Sequence, residues 1–227
     1  MKLLPSWDKL LKDHWKQMES DNVVEFDTYK PLQKIRTLSL VFKVPSEASQ
    51  KIRNSLDEIV PDSLKERVLF QPWRSYHFTV QWSPSGEIKD KNLEQITKEL
   101  ESLFSKFPPI KGEIVFPFFG VVGLLGFLRT KKNREFPEIR DKINKSWSSF
   151  GLSLGAKKYL EKYPGLAYLS LSRYTGVFNH EEKHLLKNLP TDRPQGVCFK
   201  EALLVLNDKF MTPKDTEIFA KLKLGGE

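Results

Sequence analysis

The sequence predicts an α+β protein of two pseudo-symmetric lobes, each an antiparallel sheet with helices packed outside, around a central cleft. Three observations predict it. Strand and helix patterns alternate along the chain without a linker or a low-complexity segment. The order strand, helix, strand occurs twice. Each round ends in a strand that bears a hydroxyl, "HFTV" from His77 and "YLSL" from Tyr168, about one lobe of chain apart. With 227 residues, 39% hydrophobic content and 16 phenylalanines, the chain suffices for a single domain over 1–227.

The first element is an N-terminal amphipathic helix within 1–22, where Leu3, Leu4, Trp7, Leu10, Leu11, Trp15 and Met18 keep helical spacing between lysines. Two readings stand for it: a helix folded onto the body, or one lying on a membrane surface. A bilobal core follows, over about 33–211. "IRTLSLVFKVP" reads as a strand stopped by proline, and Ser46 is placed to cap the helix of Ile52, Leu56 and Ile59. The strand of His77 closes at "SPSG". Leu93, Ile96, Leu100, Leu103 and Phe104 then form the stripe of an amphipathic helix that ends before Pro108. Ile114 to Leu128 is the most apolar run; interrupted by one proline and three glycines, it reads as two buried strands and a glycine turn. A basic helix from about Asn133 to Phe150, the strand "LAYLSLSRYTG", the polar helix "HEEKHLLKNL" and a last strand "VCFKEALLVLND" complete the chain.

The formal charge of +8 favours anionic partners such as RNA, nucleotides or an acidic surface. One cysteine, Cys198, leaves no internal disulfide and fits a reducing compartment. The N-terminus lacks the unbroken apolar core of a signal peptide, and the run 114–128 is too short to span a bilayer as a helix. A cytoplasmic protein is expected.

On a strand, His77 and Thr79 share one face, where an imidazole and a hydroxyl can hold a phosphate between them; Phe78, Val80 and Trp82 share the other. Alone, such a His–Thr pair is most often an ordinary surface or a satisfied polar pair. Trp73 and Arg74 precede it in a loop and are candidates for substrate contact, while Tyr76, Phe78 and Trp82 are expected to fill the core. Strict alternation puts Tyr168, Ser170, Ser172 and Tyr174 together, so Tyr174 can also line the cleft. It turns Arg173 away, unless a bulge brings that residue in. "HEEKH" from His180 to His184 matches a zinc-protease pattern, with Glu201 as a conceivable third ligand. Its inner positions, Glu182 and Lys183, suit a solvated helix better, so no metal and no cofactor are expected. Gly120, Gly123 and Gly126 lack the spacing of a dinucleotide fingerprint. The run "RTKKNREFPEIRDKINK" reads as a solvated helix face whose lysines can meet a nucleic-acid backbone.

His77-Phe78-Thr79-Val80, with Tyr168-Leu169-Ser170-Leu171 one lobe later, resembles the paired His-x-Thr/Ser motifs of the two-histidine (2H) phosphoesterases, specifically the 2′-5′ RNA ligases and 2′,3′-cyclic phosphodiesterases. The resemblance covers about 33–211. The first motif matches completely; the second has tyrosine where the family has histidine. Arg173 matches an arginine five residues after the family's second histidine, and "FKEALLVLND" is similar to its last strand. The resemblance implies a metal-free reaction at a ribose phosphodiester, one histidine acting as base and the other as acid, with the hydroxyls on the phosphate oxygens. Tyrosine, with a reference pKa of about 10, suits an acid and not a base near neutrality. The implied site is His77, Thr79, Tyr168 and Ser170, with Arg173, Trp73, Arg74 and Tyr174 as substrate contacts. Three readings follow: a slow or altered phosphodiesterase or RNA ligase-like enzyme, a non-catalytic module binding a nucleotide or RNA, or a scaffold with a vestigial cleft. No protein partner is implied.

Overall fold

The computed structural model describes residues 5–22, 36–84, 90–131, 135–155, 161–163, 165–191, 194–208 and 216–226. Leu3 and Leu4 of the terminal helix, Ile35, both ends of the 33–211 core, the "SPSG" closure beyond Pro84 and residues 132–134 of the basic run lie outside them.

Helical spacing of apolar residues produces the main helices where it was expected. Helix α1 (Pro5–Glu19) buries Trp7, Leu10, Leu11, His14 and Met18 along one stripe. Helix α2 (Ser46–Ile59) buries Ile52 and Leu56; Pro45, not Ser46, holds its capping position, and no side chain caps it. A single turn, α3 (Asp62–Lys65), precedes α4 (Asp90–Phe104), which buries Ile96, Leu100 and Phe104. Helices α5 (Glu135–Ser149) and α6 (His180–Lys187) follow, α6 starting in a capping box between Asn179 and Glu182. No helix among the described residues is long and apolar enough to cross a membrane.

The strands are β1 (Arg36–Lys43), β2 (Val68–Phe70), β3 (His77–Pro84), β4 (Ile110–Phe118), β5 (Leu125–Thr130), β6 (Tyr168–Ser170), β7 (Ser172–Tyr174), β8 (Gln195–Phe199), β9 (Glu201–Asp208) and β10 (Glu217–Lys223). They form two four-stranded antiparallel sheets, β10-β9-β1-β3 and β6-β5-β4-β8, plus the ribbon β2-β7. Three expectations change. "VCFKEALLVLND" divides at Lys200, β8 belonging to the second sheet and β9 to the first. β10 follows it, unforeseen because this edge strand buries only Leu222 and carries little hydrophobic pattern. "LAYLSLSRYTG" is two strands, broken at Leu171 into β6 of the second sheet and β7 of the ribbon.

The sheets share a core. Phe42 and Phe78 from the first sheet meet Phe199 from the second at 5.4 and 5.8 Å between ring centroids, with Phe104 of α4 and Phe136 of α5 against Phe42 at 6.2 and 5.7 Å. Each such buried ring contributes about 1.5–3 kcal/mol by removal from water. The opposite faces carry the motif residues. On the second sheet that face includes Phe127, which α1 covers by stacking Trp7 on it at 4.8 Å. Asp13 of α1 also ties down the segment before β6, accepting from the Tyr163 hydroxyl at 2.7 Å and pairing with Lys162 at 2.9 Å. The terminal helix is thus folded onto the body.

Candidate active site

Each motif strand is the edge of its sheet, and the two edges, β3 and β6, lie against each other. Within β3, Phe78 and Val80 are buried in the shared core, while His77 and Thr79 stay partly exposed on the other face. Register with β1 pairs Lys43 with His77 and Val41 with Thr79, then shifts, so that Leu40 faces Gln81. Val80 is therefore the extra residue of a β-bulge. The shift turns Trp82, opposite Ser39, onto the face of His77 and corrects the expectation that Trp82 fills the core. Trp82 is instead half-buried and packs against Gly155, where any Cβ would collide with its ring.

A 3-10 turn, Trp73–Ser75, fixes the imidazole. Ser75 offers its carbonyl to Nδ1 of His77 at 2.7 Å. A carbonyl can only accept, so Nδ1 carries the proton and a neutral ring keeps its lone pair on Nε2. No hydrogen bond among the described residues engages Nε2. Burial pushes the His77 pKa down to about 4; the Ser75 carbonyl opposes this and the Arg173 charge adds to it. The ring is thus neutral near pH 7. The same turn presents Arg74, exposed and lying 4.7 Å over the Trp73 ring.

On β6, Tyr168 is 36% exposed, Leu169 is buried and Ser170 is half-buried. Thr79 and Ser170 are both partly exposed, so their hydroxyls lie at the surface of the seam. Leu171 and Ser172 are both buried, so alternation breaks and restarts one residue out of phase. The break brings Arg173 to the open side, within electrostatic reach of His77. It also turns Ser172 inward, where its hydroxyl accepts the Leu124 amide at 2.9 Å. Tyr174 is corrected for the same reason: at 0% exposure, with its ring 4.7 Å from Phe178, it belongs to the core and cannot line a cleft.

Three residues near the seam had no usable signal in the sequence. Lys43 is placed by cross-strand register. Leu69, 47% exposed, lies opposite Arg173 in the ribbon, whose three-residue strand β2 is too short to read. Arg140, hidden in a basic run, is buried beneath the two strands.

The alternative motif lies elsewhere. The His180 and His184 rings, 4.6 Å apart on α6, line a groove of about 560 Å³ with Ile59, Pro61, Leu185 and Leu189. No site side chain lines it. Among the described residues, no group of three His, Cys, Asp or Glu could hold a metal ion, and Glu201 sits on β9.

No protein-family model and no curated protein matches this chain. Solved structures do. The chain is similar to TT0787 of Thermus thermophilus, with a TM-score of 0.60 and 14% identity, over 84% of this chain and 99% of that one. E. coli LigT in complex with 3′-AMP gives 0.60 and 12%, over 84% and 99%. A further phosphoesterase structure gives 0.55 and 12%, over 84% and 97%. LigT has also been solved with phosphate, NADP+ and ATP. At such identities the likeness shows the fold alone: this chain shares the mixed α/β, antiparallel-sheet fold of these structures.

Proposed function

We propose that the seam of β3 and β6 binds a ribose phosphodiester, 2′,3′-cyclic or 2′-5′ linked, and hydrolyses it slowly without a metal. One observation carries the reading most: the His77 imidazole, its Nδ1 held by the Ser75 carbonyl and its Nε2 unengaged among the described residues, stands on the edge strand that faces the strand of Tyr168 and Ser170. Nε2 of His77 takes a proton from water, whose oxygen attacks phosphorus. The ribose oxygen leaves with the phosphorus–oxygen bond electrons and takes the proton of the Tyr168 hydroxyl. Exchange with solvent then returns both groups to their starting states. Thr79 and Ser170 donate to the phosphate oxygens, and Arg173 and Arg74 supply positive charge. A phenol is a weaker acid than an imidazolium, which supports a rate roughly 10²–10⁴ below that of a site with two matched groups.

A second reading, a non-catalytic nucleotide- or RNA-binding module, is favoured by that same phenol, which is no base near neutrality. Turnover of 2′,3′-cyclic nucleotides in EDTA by wild type, His77→Ala and Tyr168→His separates the two. Wild-type turnover that disappears in His77→Ala supports hydrolysis. Binding without turnover in wild type, with turnover appearing in Tyr168→His, supports the binding module. Neither binding nor turnover in any of the three rejects both.

A further inference from the structure

The basic run of α5 contains a residue that does not behave as a solvated face. Arg140 is only 6% exposed, on the stripe of Phe136, Ile139 and Ile143. Its guanidinium donates from Nε to the Val80 carbonyl at 3.0 Å, from Nη2 to the Thr79 carbonyl at 3.4 Å and from Nη1 to the Leu166 carbonyl at 3.1 Å. Two of these acceptors belong to the first motif, and Leu166 stands two residues before Tyr168. The bulge at Val80 interrupts the ladder with β1, and a buried carbonyl released in this way needs a donor. A planar fork reaches acceptors on both segments at once, and an ammonium, a compact point donor, matches that arrangement less well.

We infer that Arg140 is the positioning residue of the seam, fixing the main chains of the His77 and Tyr168 strands relative to each other from the side opposite the ligand. All three donating nitrogens go to carbonyls, not carboxylates, so the positive charge behind Tyr168 is not cancelled by these contacts and also favours an anion in front. Burial pushes the Arg140 pKa down to about 10, with Tyr168 and Asp141 opposing, so the group stays charged at neutral pH. The inference rests on the reading of this seam as the site.

The test compares wild type, Arg140→Lys and Arg140→Met by amide hydrogen exchange and by kinetics with 2′,3′-cyclic AMP. Exchange should quicken about tenfold or more in 77–82 and 165–170 while β4 and β5 keep their protection. kcat should fall roughly 100-fold in Arg140→Met, with partial rescue by lysine and little change in KM, because misplacement of about 1 Å affects the reacting geometry more than binding. If wild type is inert, the hydrolytic reading fails and the exchange pattern alone decides the positioning role. Unchanged exchange in both segments, or faster exchange throughout the protein, overturns the inference. So does failure of both variants to fold, since that marks a general structural requirement. An active wild type whose Arg140→Lys and Arg140→Met variants keep its kcat also overturns it, leaving the functional reading intact.

Discussion

His77 provides the sharpest test of the proton arrangement. Its pKa is pushed from 6.5 to about 4, which leaves only about 0.1% imidazolium at pH 7. The downward shift corresponds to at most about 3 kcal/mol, and less in practice because the ring keeps some solvent contact. The sign follows from proton counting. Between pH 6.5 and 4 the unfolded chain binds a proton that the folded ring refuses, so stability is fully present above pH 6.5 and falls as pH drops toward 4. His14, likewise pushed to about 4 by burial against the opposing Asp13 carboxylate, adds to the same loss. The chain has four histidines, so their Cε1 protons can be followed individually by NMR titration, with His77→Asn assigning the resonance. The His77 signal should titrate near pH 4 and move upward when inorganic phosphate is added, because an anion stabilises the imidazolium. A midpoint at or above 6.5 without ligand would refute the desolvated setting of the ring, and one well above 7 would also refute the neutral base and the hydrolytic role built on it.

Two further predictions concern the supports of the seam. Gly123→Ala would drive a Cβ into the Ser172 carbonyl oxygen, backbone against backbone, and should cost about 3 kcal/mol in urea unfolding. Gly196→Ala, with nothing within 4 Å, should change stability by less than about 0.5 kcal/mol; equal losses in the two variants would contradict the close approach. Trp7→Ala removes a fully buried ring stacked on Phe127 and should cost about 3–5 kcal/mol, with Trp7→Phe retaining most of it. A loss under about 1 kcal/mol in Trp7→Ala would mean that α1 does not rest on the second sheet.

Local patterns were legible and long-range ones were not. The stripes of α1, α2 and α4 depend on spacing within each segment, and so did the division of 114–128 into two strands. The reason for that run's hydrophobicity was not legible: both faces are covered, one by the shared core and the other, at Phe127, by Trp7 from the far end of the chain. At the site, the His77–Thr79 face followed from alternation, but strict alternation failed twice. The bulge at Val80 depends on register with β1, and the break at Leu171 depends on β7 leaving for a partner, β2, over a hundred positions upstream. Those two irregularities decide where Trp82, Arg173 and Tyr174 point. Arg140 was invisible for a related reason: an arginine in a basic run looks solvated unless one knows which carbonyls a bulge has released.

The same geometry explains why residue 168 is weakly constrained by packing. Exposed sheet edges invite unwanted pairing, and here the two edges are set against each other, with Arg140 joining them from within. On the site side of the first sheet, Val41, Leu203 and Val205 are buried as a small cluster of their own, and on the second sheet Phe127 lies under α1. What remains open is the rim between them, where Tyr168 is opposite Phe127 in register yet still 36% exposed. A side chain at such a rim adds little to the core, so the fold accepts imidazole or phenol there at similar stability. Tyr168→His should therefore fold as wild type does, and a change in turnover on that substitution reports the chemistry of the residue and not the integrity of the seam.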